Sequence, residues 1–414
     1  MSGVDFLDRL LDGVQVEWKP LGEVLLRTKG TKITAGQMKG LHKDDGTVKI
    51  FAGGKTVAFV NLEDIPAKDI NRKPSIIVKS RGVIEFEYYD KPFSHKNEMW
   101  SYHSSSAHIL VKFFYHFLKL NEPHFQQLGS KMQMPQIATP DTDKFLVPIP
   151  CPDDPKKSLE IQAEIVRILD AFTELTTELT TELTTRKKQY NYYRDQLLSF
   201  EDGNVEWKTL GEVCDFKNGF AFKSNLFREA GKPIIRITNI NGSGVDMVDV
   251  KYFDPMDYKE NTQNYVVENG DILIAMSGAT TGKIGCFKGN RVAYLNQRVG
   301  KFIPKQNVLS NRYLYHFLIS KIDAIYVLAG GGAQPNLSSK ALMEKILIPI
   351  PHADDLTKSA AEQKRIANIL DKLDTLTNSL TEGLPREIEL RQKQYEHYRD
   401  LLLSFPKPQK VEAA

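Results

Sequence analysis

An internal duplication constrains this chain more than any other feature of its sequence. Four segments recur in the same order at offsets of 189 to 205 residues, which chance does not produce. They are VEWKPLGEV at 16–24 and VEWKTLGEV at 205–213, KFFYHFL at 112–118 and RYLYHFL at 312–318, VPIP at 147–150 and IPIP at 348–351, and KQYNYYRDQLLSF at 188–200 and KQYEHYRDLLLSF at 393–405. Because the ends of the two copies agree while their middles differ, the sequence predicts one scaffold used twice with two different central surfaces.

The charge is distributed in the same duplicated way. Net charge is −2 over residues 1–15, +5 over 16–150, −4 over 151–204, +5 over 205–351 and −1 over 352–414, which sums to the +3 of the whole chain. Two basic blocks favour a chain that holds a polyanion at two separate places. Chance variation of surface charge is the alternative, since +5 over such a length is modest.

The basic blocks have the pattern of β-rich domains. Short runs rich in β-branched residues occur at 74–78, 234–238 and 271–275, and glycines and asparagines separate them. Residues 311–320 have instead the pattern of a helix. The sequence therefore predicts two mainly β domains with a few helices.

The acidic segments have the pattern of long helices. From Leu159 to Phe200 there is no proline or glycine. Apolar residues are spaced alternately by three and four, as in the seam of a coiled coil. They are Ile161, Ile165, Ile168, Phe172, Leu175 and Leu179 in the first segment, and Ile366, Ile369, Leu373, Leu376 and Leu380 in the second. Two matching seams predict helices that pack on each other. The alternative is two amphipathic helices, each packed on its own domain.

Three Thr-Glu-Leu-Thr tetrads occupy residues 173–184 of the first predicted helix. Threonine is a mediocre helix former, so the tetrads add little stability. Each adds about 6 Å of length at the helical rise of about 1.5 Å per residue. We interpret them as setting the length of a spacer, and an incidental repeat on a solvated face is the alternative.

No pattern of catalytic or metal-binding residues stands out. GATTGK at 278–283 lacks the first glycine and the final Ser/Thr of a phosphate-binding loop. The histidines between 95 and 124 do not have metal-ligand spacing. Cys151, Cys214 and Cys286 are far apart, so neither a disulfide framework nor a zinc ribbon is indicated. With no signal peptide and no apolar run of membrane length, the sequence predicts a cytoplasmic binding protein without a catalytic or metal site.

Two unlike β-rich domains on a helical spacer favour a reader of bipartite sites. On duplex DNA, basic residues would neutralise phosphates while Asn, Gln and Arg side chains would read base edges. A non-DNA tandem binding adaptor, for protein or carbohydrate, would explain the duplication but not the paired basic domains. An enzyme with a disguised nuclease centre is a further alternative.

Over essentially its full length the chain resembles the specificity subunits of type I restriction-modification enzymes. The resemblance rests on VEWKxLGEV opening each half, on VPIP and IPIP closing the basic domains, on EIQAEIVRILD at 160–170 and EQKRIANILD at 362–371, and on both YxxYRDxLLSF endings. The tetrads and these endings are similar to the subgroup called IC. In the second half GDILI at 270–274, the glycine turn 278–285, Asn296-Gln297 and Gln334-Pro-Asn336 match the family pattern. In the first half Lys79-Ser-Arg-Gly82 takes the place of the glycine turn, and Asn97-Glu98 that of Asn-Gln.

The resemblance implies an α+β fold. Two mainly β target recognition domains would be separated by two long helical regions that form an antiparallel coiled coil, as a pseudo-twofold duplicated cassette. The expected boundaries are an N-terminal segment at 1–15 that completes a circular repeat, recognition domains at 16–150 and 205–351, helical spacers at 151–204 and 352–405, and a disordered tail at 406–414.

The same resemblance implies the function and the partners. Each recognition domain would read one half of an asymmetric, interrupted site in double-stranded DNA. The chain would itself be non-catalytic and cofactor-free, with no membrane partner. It would scaffold two modification (methyltransferase) subunits, which use S-adenosylmethionine, and up to two restriction (translocase and endonuclease) subunits, which use ATP and Mg²⁺.

The candidate contact residues follow from these expectations. DNA contact is expected on the divergent middles of the two domains, at Lys55, Lys79, Arg81, Lys96, Asn97, Gln133 and Gln136 in the first and at Lys217, Lys223, Arg236, Asn239, Lys283, Asn296, Gln297, Arg298 and Gln334 in the second. Contact with the modification subunits is expected at aromatic residues of the helices, namely Tyr190, Tyr193, Tyr395 and Tyr398.

Overall fold

The computed structural model describes residues 13, 15–54, 56–130, 134–200, 205–242, 244–330, 335–378 and 383–406. Within this part the chain forms two compact units. Unit 1 holds the described residues of Met1–Glu178 and Glu389–Ala414, and unit 2 holds those of Leu179–Ile388. Each unit therefore combines one β-rich region with helical segments from two distant parts of the chain.

The β-rich region of unit 1 contains nine strands within the described residues. They are β1 (Val16–Pro20), β2 (Leu26–Thr28), β3 (Val48–Phe51), β4 (Val57–Val60), β5 (Ser75–Lys79), β6 (Glu85–Tyr89), β7 (Phe93–His95), β8 (Trp100–His103) and β9 (Leu146–Pro150). The helices are α1 (Leu21–Val24), α2 (Ala35–Leu41), α3 (Val111–Leu120), α4 (Glu122–Gly129), α5 (Thr139–Asp143) and α6 (Pro155–Leu198), which continues into unit 2.

The described strands of unit 1 form three sheets. β1 pairs antiparallel with β9, the order β2-β8-β5-β6 is antiparallel throughout, and the order β4-β3-β7 has β3 and β7 parallel. Both faces of β5 are buried: Ile76 and Val78 belong to the main core with Phe113, and Ile77 packs with Phe93. A strand buried on both faces has a continuous apolar sequence, which is why this run of β-branched residues was readable as a strand.

Unit 2 has a corresponding set of elements. Its strands are β10 (Val205–Thr209), β11 (Cys214–Asn218), β12 (Lys232–Ile235), β13 (Lys251–Phe253), β14 (Val266–Val267), β15 (Ile272–Ala275), β16 (Ile284–Cys286), β17 (Ala293–Leu295), β18 (Val299–Pro304) and β19 (Leu347–Pro351). Its helices are α7 (Leu210–Val213), α8 (Asn311–Ser320), α9 (Ile322–Leu328), α10 (Ser339–Lys345) and α11 (Leu356–Asn378); the last helix, α12 (Gly383–Leu402), continues into unit 1.

The strand orders of the two units correspond. β10 pairs antiparallel with β19, as β1 does with β9, and the antiparallel order β11-β18-β15-β16 matches β2-β8-β5-β6. The mixed sheet β13-β12-β17-β14 contains one parallel pair, β12 with β17, which matches β3 with β7. The predicted α+β fold with a duplicated, mainly β scaffold is confirmed.

The long helices of each unit run in opposite directions. In unit 2, α6 ends just before β10 and α11 begins just after β19, and Val205 at the start of β10 pairs with Pro351 at the end of β19. One helix therefore arrives at the point where the other leaves. In unit 1, α6 leaves just after β9, and the segment that follows α12 returns to β1, where Trp18 Nε1 donates a 2.8 Å hydrogen bond to the carbonyl of Pro406. The antiparallel helices expected from the family resemblance are confirmed within each unit.

The buried stripe of these helices differs in part from the predicted seam. In α6, Leu169 is fully buried while Ile168 is only partly so. In α11, Leu370 is fully buried while Ile369 is 36% exposed, so the prediction that Ile369 lies in the seam is wrong. The physical reason is that the first turns of each helix pack on the β-rich region of its own unit, which turns a neighbouring stripe inward. The predicted seam residue Leu380 lies outside the described residues.

Two expected terminal segments are almost entirely outside the described part of the chain. Of the N-terminal segment at 1–15 only Gly13 and Gln15 are described, and of the tail at 406–414 only Pro406.

Candidate nucleic-acid interface

Three backbone segments meet at one edge of unit 2. The amide of Leu337 donates to the carbonyl of Met276 at 2.8 Å, and the amide of Met276 donates to the carbonyl of Arg298 at 2.9 Å. The amide of Gly278 donates to the carbonyl of Pro335 at 3.3 Å. These bonds bring together residues 276–278, 296–298 and 335–337, which we name the edge loops of unit 2.

The corresponding segments meet in the same way in unit 1. The amide of Ile137 donates to the carbonyl of Ser80 at 3.0 Å, and the hydroxyl of Ser80 donates to the carbonyl of Glu98 at 2.6 Å. The amide of Gly82 donates to the carbonyl of Pro135 at 2.9 Å. Residues 80–82, 96–98 and 134–137 are therefore the edge loops of unit 1, and their backbone follows that of unit 2.

Equivalent glycines support this correspondence. Gly82 has a φ of 80° and Gly278 a φ of 76°, in the left-handed region where other residues are strained. Each follows the strand that leads into its edge loop, β5 in unit 1 and β15 in unit 2. The turn in unit 1 is thus the counterpart of the glycine turn in unit 2, although its sequence differs.

The structure corrects the alignment of the 96–98 segment by one residue. The amide of Met99 donates to the carbonyl of Lys96 at 2.9 Å, as the amide of Val299 donates to that of Asn296 at 2.8 Å. Lys96 therefore stands at the position of Asn296, and Asn97 at that of Gln297. The sequence-based expectation that Asn97-Glu98 occupies the place of Asn296-Gln297 is wrong by one position.

Most candidate residues in the edge loops are accessible. Arg81, Asn97 and Gln136 are exposed in unit 1, where the strand-like bridge between residues 81 and 136 holds two of them side by side. Lys96 is partly buried, and its ammonium lies 2.7 Å from the Glu98 carboxylate.

In unit 2 the accessible candidates include a pair of neighbours in one loop. Gln297 and Arg298 are exposed, and Arg298 Nη1 donates to Asn336 Oδ1 at 3.4 Å. Asn296 is partly buried. Its carbonyl oxygen lies so close to Gly219 that any side chain at position 219 would collide with this oxygen. Lys283 is exposed and lies between the glycine turn and β16, where its carbonyl accepts a 3.0 Å hydrogen bond from the amide of Ala275.

Lys79 does not belong to an accessible surface. Its side chain is 7% exposed and its Nζ lies 2.6 Å from a Glu85 oxygen and 2.9 Å from a Glu87 oxygen. Burial works to lower the pKa of this ammonium, but the two carboxylates outweigh burial and raise the pKa. The structure argues against the predicted DNA contact at Lys79, because its charge is already neutralised inside unit 1.

Asn239 is likewise occupied within its own fold. It is 3% exposed, its Oδ1 accepts from the amide of Arg236 at 2.9 Å, and its Nδ2 donates to the carbonyls of Asp246 and Asp249 at 3.1 and 3.0 Å. These bonds hold the loop that follows β12 together. The structure therefore argues against the predicted DNA contact at Asn239.

Three further candidates of unit 2 lie outside the edge loops. Arg236 Nη2 donates to the carbonyl of Asp249 at 3.4 Å, and its Nε is buried without a hydrogen-bond partner among the described residues. Lys217 lies over the ring of Tyr265 at 5.1 Å, and Lys223 is exposed. The remaining candidates, Lys55, Gln133 and Gln334, lie outside the described residues.

The four tyrosines expected at the interface with other subunits differ in accessibility. Tyr190 is 5% exposed and its hydroxyl lies 3.2 Å from His316 Nδ1, so the expectation of an accessible contact there is wrong. Tyr193 is 41% exposed. Tyr398 stacks on Phe172 with ring centroids 5.2 Å apart, and Tyr395 packs against the core of unit 1.

Two residues of the edge loops stand in segments that the sequence analysis named but were not among its contact candidates. Asn336 reaches Arg298 across the edge, and Glu98 reaches Lys96. When charge alone is considered, an acidic side chain is not a candidate for DNA contact. The equivalence of Glu98 and Arg298 follows only from the backbone hydrogen bonds that the two units share.

Metal ligands do not cluster in the described part of the chain. Among the described residues there is no group of three or more His, Cys, Asp or Glu able to hold a metal ion. Cys151, Cys214 and Cys286 are free thiols. None of the described helices is long and apolar enough to span a bilayer.

Known proteins match this chain over nearly its whole length. The family model for the type I restriction modification DNA specificity domain matches twice, at residues 14–186 and 203–390. The specificity subunit of the type I restriction enzyme EcoR124I/EcoR124II from Escherichia coli is 40% identical over 99% of this chain and 100% of its own length. A putative type I specificity subunit from Haemophilus influenzae is 31% identical, over 97% of this chain and 98% of its own.

The fold has a counterpart of known structure. The S subunit of a type I restriction-modification system from M. genitalium matches with a TM-score of 0.63 at 19% identity, over 96% of this chain and 98% of that chain. With two matched domains, one in each β-rich region, this chain belongs to the type I restriction-modification DNA specificity family.

Proposed function

We propose that this chain reads an asymmetric, bipartite site in double-stranded DNA as the specificity subunit of a type I restriction-modification complex, with one half-site for each unit. The observation that carries the proposal is the pair of edge loops. Their backbones share the bonds from Ile137 or Leu337 and from Gly82 or Gly278, and Ser80 Oγ takes the place of the Met276 amide in the third bond. Apart from one glycine and one proline, the aligned side chains differ. A duplicated frame with divergent exposed side chains suits a protein that reads two different sequences.

The chemistry of the edge loops fits duplex DNA. Arg side chains donate two hydrogen bonds to guanine, and Asn and Gln side chains form paired bonds with adenine. Exposed Arg81, Asn97 and Gln136 supply such groups in unit 1, and Gln297 and Arg298 supply them in unit 2. Nearby lysines such as Lys283 would contact phosphates, which position the protein without reading sequence.

The partner subunits are part of the proposal. We expect two modification subunits and up to two restriction subunits to assemble on the helical regions. S-adenosylmethionine, ATP and Mg²⁺ would be bound by those subunits and not by this chain. Of the expected contact tyrosines, Tyr193 remains the exposed candidate. Because its DNA substrate would be intracellular, we expect the complex to act in the cytoplasm.

Selection from random duplexes tests the proposal. The full chain, alone and with the modification subunit of the same system, is mixed with duplexes that contain randomised positions, and the bound fraction is sequenced. We expect two short sequence-specific segments separated by a fixed gap without base preference. A non-DNA tandem adaptor would enrich nothing, and DNA cleavage by the chain alone would indicate a nuclease; either result overturns the proposal.

A variant pair separates the two readers. Arg81→Ala in unit 1 is expected to alter only one half-site and Gln297→Ala in unit 2 only the other. Lys259→Ala, an exposed change in unit 2 outside the edge loops, is the matched control and leaves both half-sites unchanged. If a change in one unit altered both half-sites equally, the assignment of one half-site to each unit would be wrong.

A further inference from the structure

One position in the edge loops carries opposite charges in the two units. Glu98 and Arg298 occupy equivalent places, since the carbonyl of each accepts a hydrogen bond from the segment that follows the matching strand, Ser80 Oγ in unit 1 and the Met276 amide in unit 2. Both residues are exposed, and the side chain of Glu98 is 34% exposed. The same backbone position therefore presents a carboxylate in one unit and a guanidinium in the other.

The neighbours of these two side chains hold them differently. The Glu98 carboxylate lies 2.7 Å from the ammonium of Lys96. Burial works to raise the pKa of Glu98, but the hydrogen bond and charge of Lys96 outweigh burial and lower the pKa, so this group is ionised at neutral pH. Arg298 is near Asn336, and no carboxylate of the described residues forms an ion pair with Arg298. Among the described residues of unit 2, no carboxylate therefore neutralises its guanidinium.

The two groups have complementary preferences for DNA bases. A carboxylate only accepts hydrogen bonds, and in the major groove it pairs with the amino group of cytosine, or of adenine, while phosphates repel it. A guanidinium only donates, and its two parallel N–H groups match the O6 and N7 acceptors of guanine. A carboxylate on a surface that faces DNA reduces affinity unless an amino group of a base is in front of it.

We propose that residues 98 and 298 are equivalent specificity-determining positions, at which Glu98 selects a base that presents an amino group and Arg298 selects guanine. This inference rests on the proposed function and names the base chemistry of one position in each half-site. Lys96 then orients the Glu98 carboxylate, and Asn336 orients the Arg298 guanidinium. The two copies thus make this contact from the same backbone position, with a hydrogen-bond acceptor in unit 1 and a donor in unit 2.

Exchange of the two side chains tests the inference. Glu98→Arg and Arg298→Glu are made separately in the full chain and put through the selection from random duplexes. Glu98→Arg is expected to change one base of the first half-site from cytosine or adenine to guanine. Arg298→Glu is expected to change one base of the second half-site in the opposite sense. Discrimination between right and wrong base is expected to change by about 5- to 150-fold, the range for one paired contact.

A charge-neutral variant excludes a purely electrostatic role. If Glu98 only neutralised Lys96, Glu98→Gln would change the affinity for all duplexes by the same factor. The base preference would then stay as in the wild type, and this result would overturn the inference. The matched controls are Asp90→Asn and Arg291→Gln, at exposed positions just before β7 and β17, at the other end of the strands that lead to residues 96 and 296. Both controls keep the wild-type site.

The wild-type selection distinguishes the two possible failures. If the wild type enriches no bipartite site, the proposed function fails. If it enriches one and the exchange variants enrich the same bases at unchanged discrimination, the inference about residues 98 and 298 fails while the proposed function stands. A thermal unfolding midpoint of each variant within the range of the controls establishes that the exchange has not unfolded either unit.

Discussion

His316 and Asp371 are joined in unit 2 by a contact of 2.7 Å between Nε2 and Oδ1, which ties α8 of the β-rich region to α11. Arg312 of α8 bonds the same carboxylate. The hydroxyl of Tyr190, on α6, lies 3.2 Å from the second imidazole nitrogen, Nδ1. Three helices from separate parts of the sequence therefore meet at one buried imidazole.

Unit 1 has the same polar contact in a modified form. His116 Nε2 lies 3.1 Å from Asp170 Oδ1, and Lys112 Nζ lies 2.7 Å from Asp170 Oδ2. Lys112 thus takes the place of the arginine of unit 2. In this unit Nδ1 of His116 is buried without a hydrogen-bond partner among the described residues. The polar contact between domain helix and long helix was kept through the duplication, which indicates that it fixes the helix against the β-rich region.

Asp371→Asn is expected to destabilise unit 2. The change removes a charged partner from the His316 imidazole and the Arg312 guanidinium, and the loss of a hydrogen bond to a charged group costs about 1–3 kcal/mol. The midpoint of chemical denaturation, followed by circular dichroism, is expected to fall. Asp354→Asn, at an exposed position before the start of α11, is the control and changes the midpoint little. Equal midpoints for the two variants would contradict the prediction.

The contribution of Asp371 is expected to vanish in acid. Burial works to raise the pKa of this carboxyl, but the hydrogen bonds and charges of His316 and Arg312 outweigh burial and lower the pKa to about 2, from an ordinary value of 3.8. A carboxyl with a depressed pKa in the folded state stabilises fully above its unfolded pKa and loses that contribution as the pH falls through its folded pKa. Wild type and Asp371→Asn should therefore differ in stability at neutral pH and converge between about pH 4 and pH 2. A difference that stays constant over that window would show that the ionised carboxylate is not the source.

The fold was largely readable because its signals are repeated. The duplicated segments at 16–24 and 205–213 form β1 and β10 with the short helices α1 and α7 that follow them, and β1 and β10 pair in the same way with β9 and β19. The proline-free segment that begins at Leu159 lies in one helix of 44 residues, Pro155–Leu198. Errors arose where tertiary packing decided the outcome. A heptad pattern does not distinguish Ile369 from its neighbour Leu370, and the β-rich region selected Leu370 for the core.

The candidate site was less predictable. Lys79 looks like a basic surface residue in sequence, and only the two carboxylates of β6 reveal that it is neutralised inside the sheet. Glu98 was overlooked because a carboxylate opposes DNA binding by charge alone. Its equivalence to Arg298 is visible through backbone hydrogen bonds, since residues 96–98 and 296–298 are not identical at any equivalent position.

Lys79→Met is expected to change stability and Arg81→Ala to change DNA binding, although the two residues are only two positions apart. Lys79→Met leaves the carboxylates of Glu85 and Glu87 without their shared cation, so the free energy of unfolding should fall by about 1–3 kcal/mol, with the DNA site unchanged. Arg81 is exposed, so Arg81→Ala should keep the stability and weaken binding to the first half-site. Denaturation and selection from random duplexes on both variants check this. A changed site in Lys79→Met without loss of stability would restore Lys79 as a DNA contact.

Deletion of Thr177 to Thr180 is expected to shorten the gap between the half-sites. α6 passes through the tetrads without interruption, and their threonines bond within the helix, for example Thr173 Oγ1 to the carbonyl of Leu169 and Thr184 Oγ1 to that of Thr180, each at 2.9 Å. Four residues remove about 6 Å of helix. DNA rises about 3.4 Å per base pair, so the gap should lose one to two base pairs.

The sequences of the half-sites should persist in this deletion variant, because no edge loop is altered. Sites methylated by the variant, assembled with its modification subunits, are mapped against those of the wild type. Replacement of the same tetrad by Ala-Glu-Leu-Ala, which keeps the length of the helix, is the matched control and should leave the gap unchanged. An unchanged gap in the deletion variant would show that the tetrads do not set the spacing, and altered half-site bases would show that α6 itself takes part in reading them.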